Sequence, residues 1–178
     1  MVSILGCALA PGQSGHDAGR MLLAELYRRR VGGGLPEILV EAMGKPYFAV
    51  GNLHFSITHT KHRAFCALAE VPVGLDAEER SRRIRPETAR RALAPAERAA
   101  WEQAEDPDDF FLRLWVVKEA RAKITGQGLG DPRKLPVDPA TFQPEPGYCA
   151  GLFAALDCHV ALCCQGDVVP KVSLEIME

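Results

Sequence analysis

Asp106-Pro107-Asp108-Asp109-Phe110-Phe111-Leu112-Arg113-Leu114-Trp115-Val116-Val117-Lys118-Glu119-Ala120-Arg121-Ala122-Lys123-Ile124 carries the stronger helical pattern in the second half of the chain. Acidic residues at its start suit the positive end of a helix macrodipole, a periodic aromatic and aliphatic run follows, and Gly126 supplies a stop. The pattern predicts a helix from about residue 106 to 124. Beyond a Pro- and Gly-rich connection, residues 151–156, 159–165 and 171–176 read as strands, with a tight turn near Leu156-Asp157-Cys158.

The first half repeats this order of helix and strands. Residues 2–9 read as a strand, Pro11-Gly12-Gln13-Ser14-Gly15 as a turn, and Asp17 as the cap of a helix running to about Arg30. Met21, Leu22, Leu23, Leu26 and Tyr27 form its apolar set, and Gly32-Gly33-Gly34 stops it. Strand-like pieces follow at 37–42, 53–57, 63–70 and 73–78, punctuated by Gly44-Lys45-Pro46 and Val71-Pro72. A basic stretch from Arg80 to Arg85 then leads into short helical segments at 86–93 and 95–104, each opened by a proline.

The expected class is therefore α+β, with two similar halves, each a long helix on a small antiparallel sheet, forming a pseudo-dimer in one chain. The expected halves are residues 1–72 and 73–178, packed as one compact unit with a cleft between them. No residue-level repeat accompanies the pattern.

The 178 residues suit one such unit, since separate domains need about 100 residues each. With 47% hydrophobic and 25% charged residues, a packed core can be built. A net charge of -2 gives no broad basic field, which disfavours nucleic-acid binding and confines any anion site to a local cluster. The six cysteines form no C-x-x-C pair and read as buried hydrophobes rather than zinc ligands. Residues 1–11 lack a charged leader, and no apolar run is long enough to span a membrane. The expectation is a cytoplasmic protein with reduced thiols.

Three stretches carry possible chemistry. In Val73-Gly74-Leu75-Asp76-Ala77-Glu78, the i, i+2 spacing on a strand sends both carboxylates to one face, where a hard cation such as magnesium would relieve their repulsion. A solvated strand edge explains the pair equally well. On the helix, Phe111, Trp115, Glu119 and Lys123 recur every four residues along one stripe. A solvent-facing Glu to Lys pair above core aromatics is the bland alternative. In His54-Phe55-Ser56-Ile57-Thr58-His59-Thr60, a strand enters a hydroxyl-rich turn suited to phosphate, and Lys45 offers another anion contact. A structural histidine and a solvated turn lysine are the ordinary alternatives there.

Taken together and in this order, Gly44-Lys45-Pro46, Phe55 to Thr60, Val73 to Glu78, and Trp115-Val116-Val117-Lys118-Glu119-Ala120-Arg121-Ala122-Lys123 followed by Gly126-Gln127-Gly128-Leu129 resemble a known signature. It belongs to the 4'-phosphopantetheinyl transferase superfamily of the surfactin-synthetase-activating type, here as a short member. The family patterns are G-K-P, F-N-[IL]-S-H-S, [VI]-G-[IV]-D-[IVL]-E and W-x-x-K-E-[AS]-x-x-K-x-x-G-x-G-[LI]. Ser56, Thr58, Thr60 and Ala77 depart from them. The segment before Gly44, where family members place further coenzyme A contacts, is short, and Arg20 is a candidate there.

The resemblance implies transfer of the phosphopantetheine arm of coenzyme A to a serine of an acyl or peptidyl carrier protein, with release of 3',5'-ADP. Such carriers serve fatty acid, polyketide or nonribosomal peptide synthesis. It implies that Asp76, Glu78 and Glu119 hold magnesium, that Glu119 is the general base, directly or through a water, and that Lys123 stabilises the leaving nucleotide. Lys118 is implied as a phosphate or partner contact, His59 with Lys45 as the holder of the 3'-phosphate, and Thr58 as a nucleotide contact. Trp115 reads as packing. Arg80, Arg82, Arg83 and Arg85 are candidates for meeting an acidic helix of the carrier, against a reading as a solvated charge run.

Two other classes compete. Nucleases and phosphohydrolases also place acids and a lysine around magnesium, although their common lysine lies two residues after the acid on a strand. A coenzyme A or carrier-binding module without turnover would keep the fold alone. The two-half pattern favours a monomer over a site shared between subunits.

Overall fold

Helix α4 (Pro107–Thr125) begins where its caps allow. The Asp106 side chain accepts the Asp109 N–H at 3.0 Å, Pro107 occupies the first turn, and Gly126 closes the helix at φ 69°. At the other end of the chain, α1 (Gly15–Val31) is capped by Ser14, whose hydroxyl oxygen accepts the Asp17 N–H at 3.0 Å. Asp17, the cap expected from sequence, instead lies in the first turn and accepts a bond from the Ser14 hydroxyl. The serine takes the cap because its side chain sits three residues before the orphan amide.

Residues 1–177 are described in this computed structural model. The strands are β1 (Val2–Ala8), β2 (Ile38–Val40), β3 (Pro46–Phe48), β4 (His54–His59), β5 (Arg63–Ala69), β6 (Val73–Glu79), β7 (Tyr148–Ala155), β8 (Cys158–Gln165) and β9 (Val172–Met177). Two short helices, α2 (Pro86–Ala92) and α3 (Pro95–Trp101), join β6 to α4, and a 3-10 turn at Pro132–Lys134 follows α4. The fold is α+β, as the sequence predicts.

The strands form a four-stranded sheet in the order β4-β5-β1-β9, a three-stranded sheet β6-β8-β7, and the hairpin β2-β3. Their alternation builds four layers. Leu5, Cys66 and Leu68 face α1 through Leu22 and Leu26, whereas Ile4, Phe65 and Ala67 face Leu75, Val160 and Leu162 of the other sheet. The far side of that second sheet presents Ala161 and Cys163 to Val116, Val117 and Ala120 of α4. The order through the molecule is thus α1, sheet, sheet, α4.

Strand β9 departs from the expected chain order. It leaves the second half and lies parallel to β1, pairing Val2 with Val172 through Cys7 with Met177. The first sheet is therefore not wholly antiparallel. Parallel neighbours need a long connection, and local pattern cannot foresee a pairing 170 residues apart in sequence. β3 also escapes sequence reading because Pro46 marks a turn and the strand is three residues long.

Free edges of the two sheets meet at β4 and β6. The Leu75 N–H on β6 donates to the Ser56 hydroxyl oxygen of β4 at 2.9 Å, a bond between the sheets that fixes the junction. All six cysteines are buried and unpaired. No helix among the described residues is long and apolar enough to cross a membrane.

Candidate active site

Gly74 decides how closely β6 can approach α4. A Cβ at this position would lie 1.9 Å from the Ala120 carbonyl oxygen, so only glycine lets the two backbones touch. Asp76 and Glu78 follow on the same face of β6, opposite Glu119 and Lys123, which stand one turn apart on α4 on either side of Ala120. The close packing converts two separate sequence patterns into one cluster.

Asp76, Glu78, Glu119, Lys123, Thr58, His59 and Trp115 line a polar cavity of about 290 Å³ at the junction of β4, β6 and α4. Lys123 Nζ donates to Asp76 Oδ1 at 2.7 Å and to the Leu75 carbonyl at 3.0 Å. Thr58 donates to the same Asp76 oxygen at 3.0 Å. The Glu78 carboxylate pairs with Arg82, a contact not anticipated from sequence. Burial pushes the Glu119 carboxyl above its ordinary range, and the negative charge of Asp76 adds to this while Lys123 opposes it. Burial likewise raises Glu78 against the opposing effect of Arg82.

A second cavity of about 260 Å³ shares the Ile57, Glu119 and Lys123 wall. Its other lining is mostly apolar, including Met43, Pro46, Phe55, Ala122 and Leu129, and Lys45 borders it. Lys45 donates to the Ile124 carbonyl, and its stem lies against Gly126 at the end of α4. Burial lowers the Lys45 pKa. His59 packs against Gly15 at the start of α1 and opens on the polar cavity instead. Lys45 and His59 thus border different cavities rather than sharing one. Arg20 is exposed on α1 and lines neither.

Lys118 corrects the sequence expectation. It is 0% exposed, and its three N–H groups go to Glu97 at 2.7 Å and to the carbonyls of Pro132 and Leu135 at 2.9 and 2.8 Å. Glu97 also accepts the Ala94 and Val137 amides. No donor remains for a phosphate or partner, because Lys118 lies on the face of α4 turned away from the cavity, one helical step of 100° from Glu119. Its neighbour in sequence is not its neighbour in space.

Among the described residues, no group of three or more His, Cys, Asp or Glu side chains is drawn together tightly enough to hold a metal ion. Lys123 and Arg82 supply the positive charge in this arrangement. The donor set nevertheless fits a hard cation: Asp76, Glu78 and Glu119 offer only oxygens, line one cavity, and include two carboxyls whose ionised forms are disfavoured. A cation among them would relieve that repulsion.

The chain belongs to the 4'-phosphopantetheinyl transferase superfamily, whose family model matches residues 72–163. It is 37% identical over 106 residues to a 4'-phosphopantetheinyl transferase of Bacillus subtilis, covering 56% of this chain and 43% of that protein. A Bacillus pumilus 4'-phosphopantetheinyl transferase shares 31% over 130 residues, 64% of this chain and 52% of its own. The 4'-phosphopantetheinyl transferase HetI of a Nostoc species shares 30% over 125 residues, 61% and 51% respectively. The chain spans about half the length of the curated relatives it matches.

Proposed function

We propose that this chain transfers the 4'-phosphopantetheine arm of coenzyme A to a serine of an acyl or peptidyl carrier protein. The observation that carries the reading is the convergence of Asp76 and Glu78 from β6 with Glu119 and Lys123 from α4 on one polar cavity, within a chain of this superfamily. The adjoining apolar cavity behind Lys45 and Pro46 suits the flat adenine of the nucleotide, and the polar one its pyrophosphate.

In this mechanism Asp76, Glu78 and Glu119 would hold magnesium, which when bound would supply neutralisation of the substrate's negative charge. Glu119 accepts the proton of the serine hydroxyl as the serine oxygen bonds to the β-phosphorus. The bond from that phosphorus to the bridging oxygen breaks, and 3',5'-ADP departs. Lys123 keeps one N–H beyond those given to Asp76 and Leu75, and donates it to the leaving phosphate. Thr58 orients Asp76, and His59 binds a phosphate oxygen at the mouth of the cavity.

A single chain brings the two faces of the cleft together, which supports a monomer with its halves in the roles of paired subunits. Six buried, unpaired thiols support a cytoplasmic setting. Intact-mass analysis of apo carrier proteins incubated with coenzyme A and magnesium tests the reaction. Gain of one phosphopantetheine, lost with chelator or Glu119→Gln, is the expected result. Coenzyme A binding without transfer to any carrier would instead make the chain a binding module.

A further inference from the structure

His159 is a buried histidine that the mechanism above does not use. It stands on β8 directly opposite Glu78 of β6, and side chains opposite one another in an antiparallel ladder share a face. That face is the one turned to α4, where the next two residues on the same side of β8, Ala161 and Cys163, are small and apolar. An imidazole at 8% exposure beside them is costly unless its nitrogens find partners. Its Nε2 lies 2.7 Å from Oδ1 of Asp109, the third residue of α4, and donates to that carboxylate. Neither residue lines the two cavities of the site.

The bond closes one end of a two-point attachment. At the other end Gly74 lets β6 touch α4 at Ala120, about 16 Å along the helix from Asp109. Trp115 and Glu119 face the polar cavity between these points. Apolar packing holds helix and sheet together but is non-directional, so it leaves rotation about the helix axis weakly fixed. A buried hydrogen bond is directional and sets that rotation. Side chains reach about 5–6 Å from the axis, so a turn of about 10° carries the Glu119 carboxylate by about 1 Å. An error of that size, introduced far from the chemistry, costs about 10²-fold in rate.

Other polar contacts of the helix do not replace this one. Lys118 and Arg121 tie α4 to Glu97, the 132–135 turn and Glu145 rather than to the sheet. Asp108 holds Arg83 and the Ile84 N–H of the incoming chain. The Cys163 thiol, 3.6 Å from the Val117 carbonyl, is a weak donor. Lys123 does reach β6, through Asp76 and the Leu75 carbonyl, but it is itself a member of the site.

We propose that His159 is a positioning residue of the transfer reaction: set on β8 and bonded to Asp109, it fixes the rotation of α4 and so aims Glu119 across the cavity at Asp76 and Glu78. The reaction it serves rests on the transfer reading above, whereas the aim of the helix rests on the geometry alone. His159 acts through Asp109 and the helix, not on the substrate. Glu119 is the acid that the helix contributes to the cation set, so a loosened α4 weakens divalent-cation binding as well as turnover.

Three variants make the test. His159→Phe keeps a ring and loses the donor, His159→Gln returns an N–H donor, and Asp109→Ala removes the acceptor from the helix. Transfer is followed by intact mass well below the melting temperature of each variant, and Mn2+ binding without substrate by electron paramagnetic resonance. His159→Phe and Asp109→Ala should each lower kcat by about 10- to 100-fold with little change in KM for coenzyme A. Both should weaken Mn2+ binding by about tenfold or more, and His159→Gln should recover part of each loss. Full kcat and full Mn2+ affinity in folded His159→Phe would reduce the pair to a structural contact and overturn the proposal. Should His159→Phe not fold, Asp109→Ala carries the same decision, because Asp109 is half-buried at the start of the helix. If the wild type transfers to no carrier, the transfer reading fails, and the Mn2+ comparison still decides the aim of the helix: affinity lost in Asp109→Ala supports it, affinity retained refutes it.

Discussion

Burial, and next the nearby charge of Asp76, push the Glu119 carboxyl above its ordinary range by favouring the protonated form. Its folded pKa is raised, so the folded state holds the proton more tightly than the unfolded chain. The stability from this difference is present below the unfolded value of 4.5 and is lost as pH rises through the folded pKa. In chelator, Glu119→Gln should therefore melt above the wild type at pH 8, and the gap should close as pH falls toward 4.5. A variant less stable than wild type at both pH values would contradict the electrostatic reading. The same substitution should lower transfer by about 10²- to 10⁴-fold, the ordinary range for loss of a positioned base. Adding magnesium to the wild type at about 100 times its Kd should stabilise it by about 2.7 kcal/mol, whereas Glu119→Gln should respond less at the same concentration. Differential scanning calorimetry reads both effects. Glu119 and Lys123 were legible from their four-residue spacing, but the pairing of Glu78 with Arg82 was not, since i, i+4 neighbours meet predictably only on a helix.

Among elements, the contact of β6 with α4 sets the site. Gly74→Ala forces the two backbones apart and should cost about 1–3 kcal/mol, with loss of transfer out of proportion to the loss of Tm. Urea denaturation with activity measured at the same temperature separates the two. The Lys118 to Glu97 pair gives a complementary prediction. Lys118→Ala leaves a carboxylate at 1% exposure without its partner and should cost about 3–5 kcal/mol. The double variant Lys118→Met/Glu97→Leu removes both charges and should recover part of that stability, although it leaves the Ala94 and Val137 amides without their acceptor. A fully additive double-mutant cycle would show that the ion pair is not the anchor between α3 and α4. Caps and stops at this scale were readable: Asp106, Pro107 and Gly126 bound α4 within one or two residues of where the sequence puts its ends.

For the whole molecule, β9 is the element that closes the first sheet. Truncation after residue 170 would expose the edge of β1 and uncover Ile4 and Val2, with Val172 and Leu174 gone from the core between the sheets. Size-exclusion chromatography should then show self-association, and thermal unfolding a loss of cooperativity. A monomeric, cooperatively folding truncation would show that the inter-sheet core stands without the strand.

Short-range sequence pattern suffices for the α+β class, for the order of the helices and of every strand but β3, for the superfamily, and for the four residues Asp76, Glu78, Glu119 and Lys123 that face one another across β6 and α4. Each of these is written in short-range periodicity and local motif, where a period of two or of about 3.6 decides which side chains share a face. Long-range packing sets β9 against β1, turns Lys118 into the core while its neighbour Glu119 points into the cavity, and leaves Lys45 and His59 on separate cavities. Those outcomes depend on contacts between residues far apart in the chain, and they are selected by which faces can be buried together and which buried charges can be satisfied, a choice that no local pattern records.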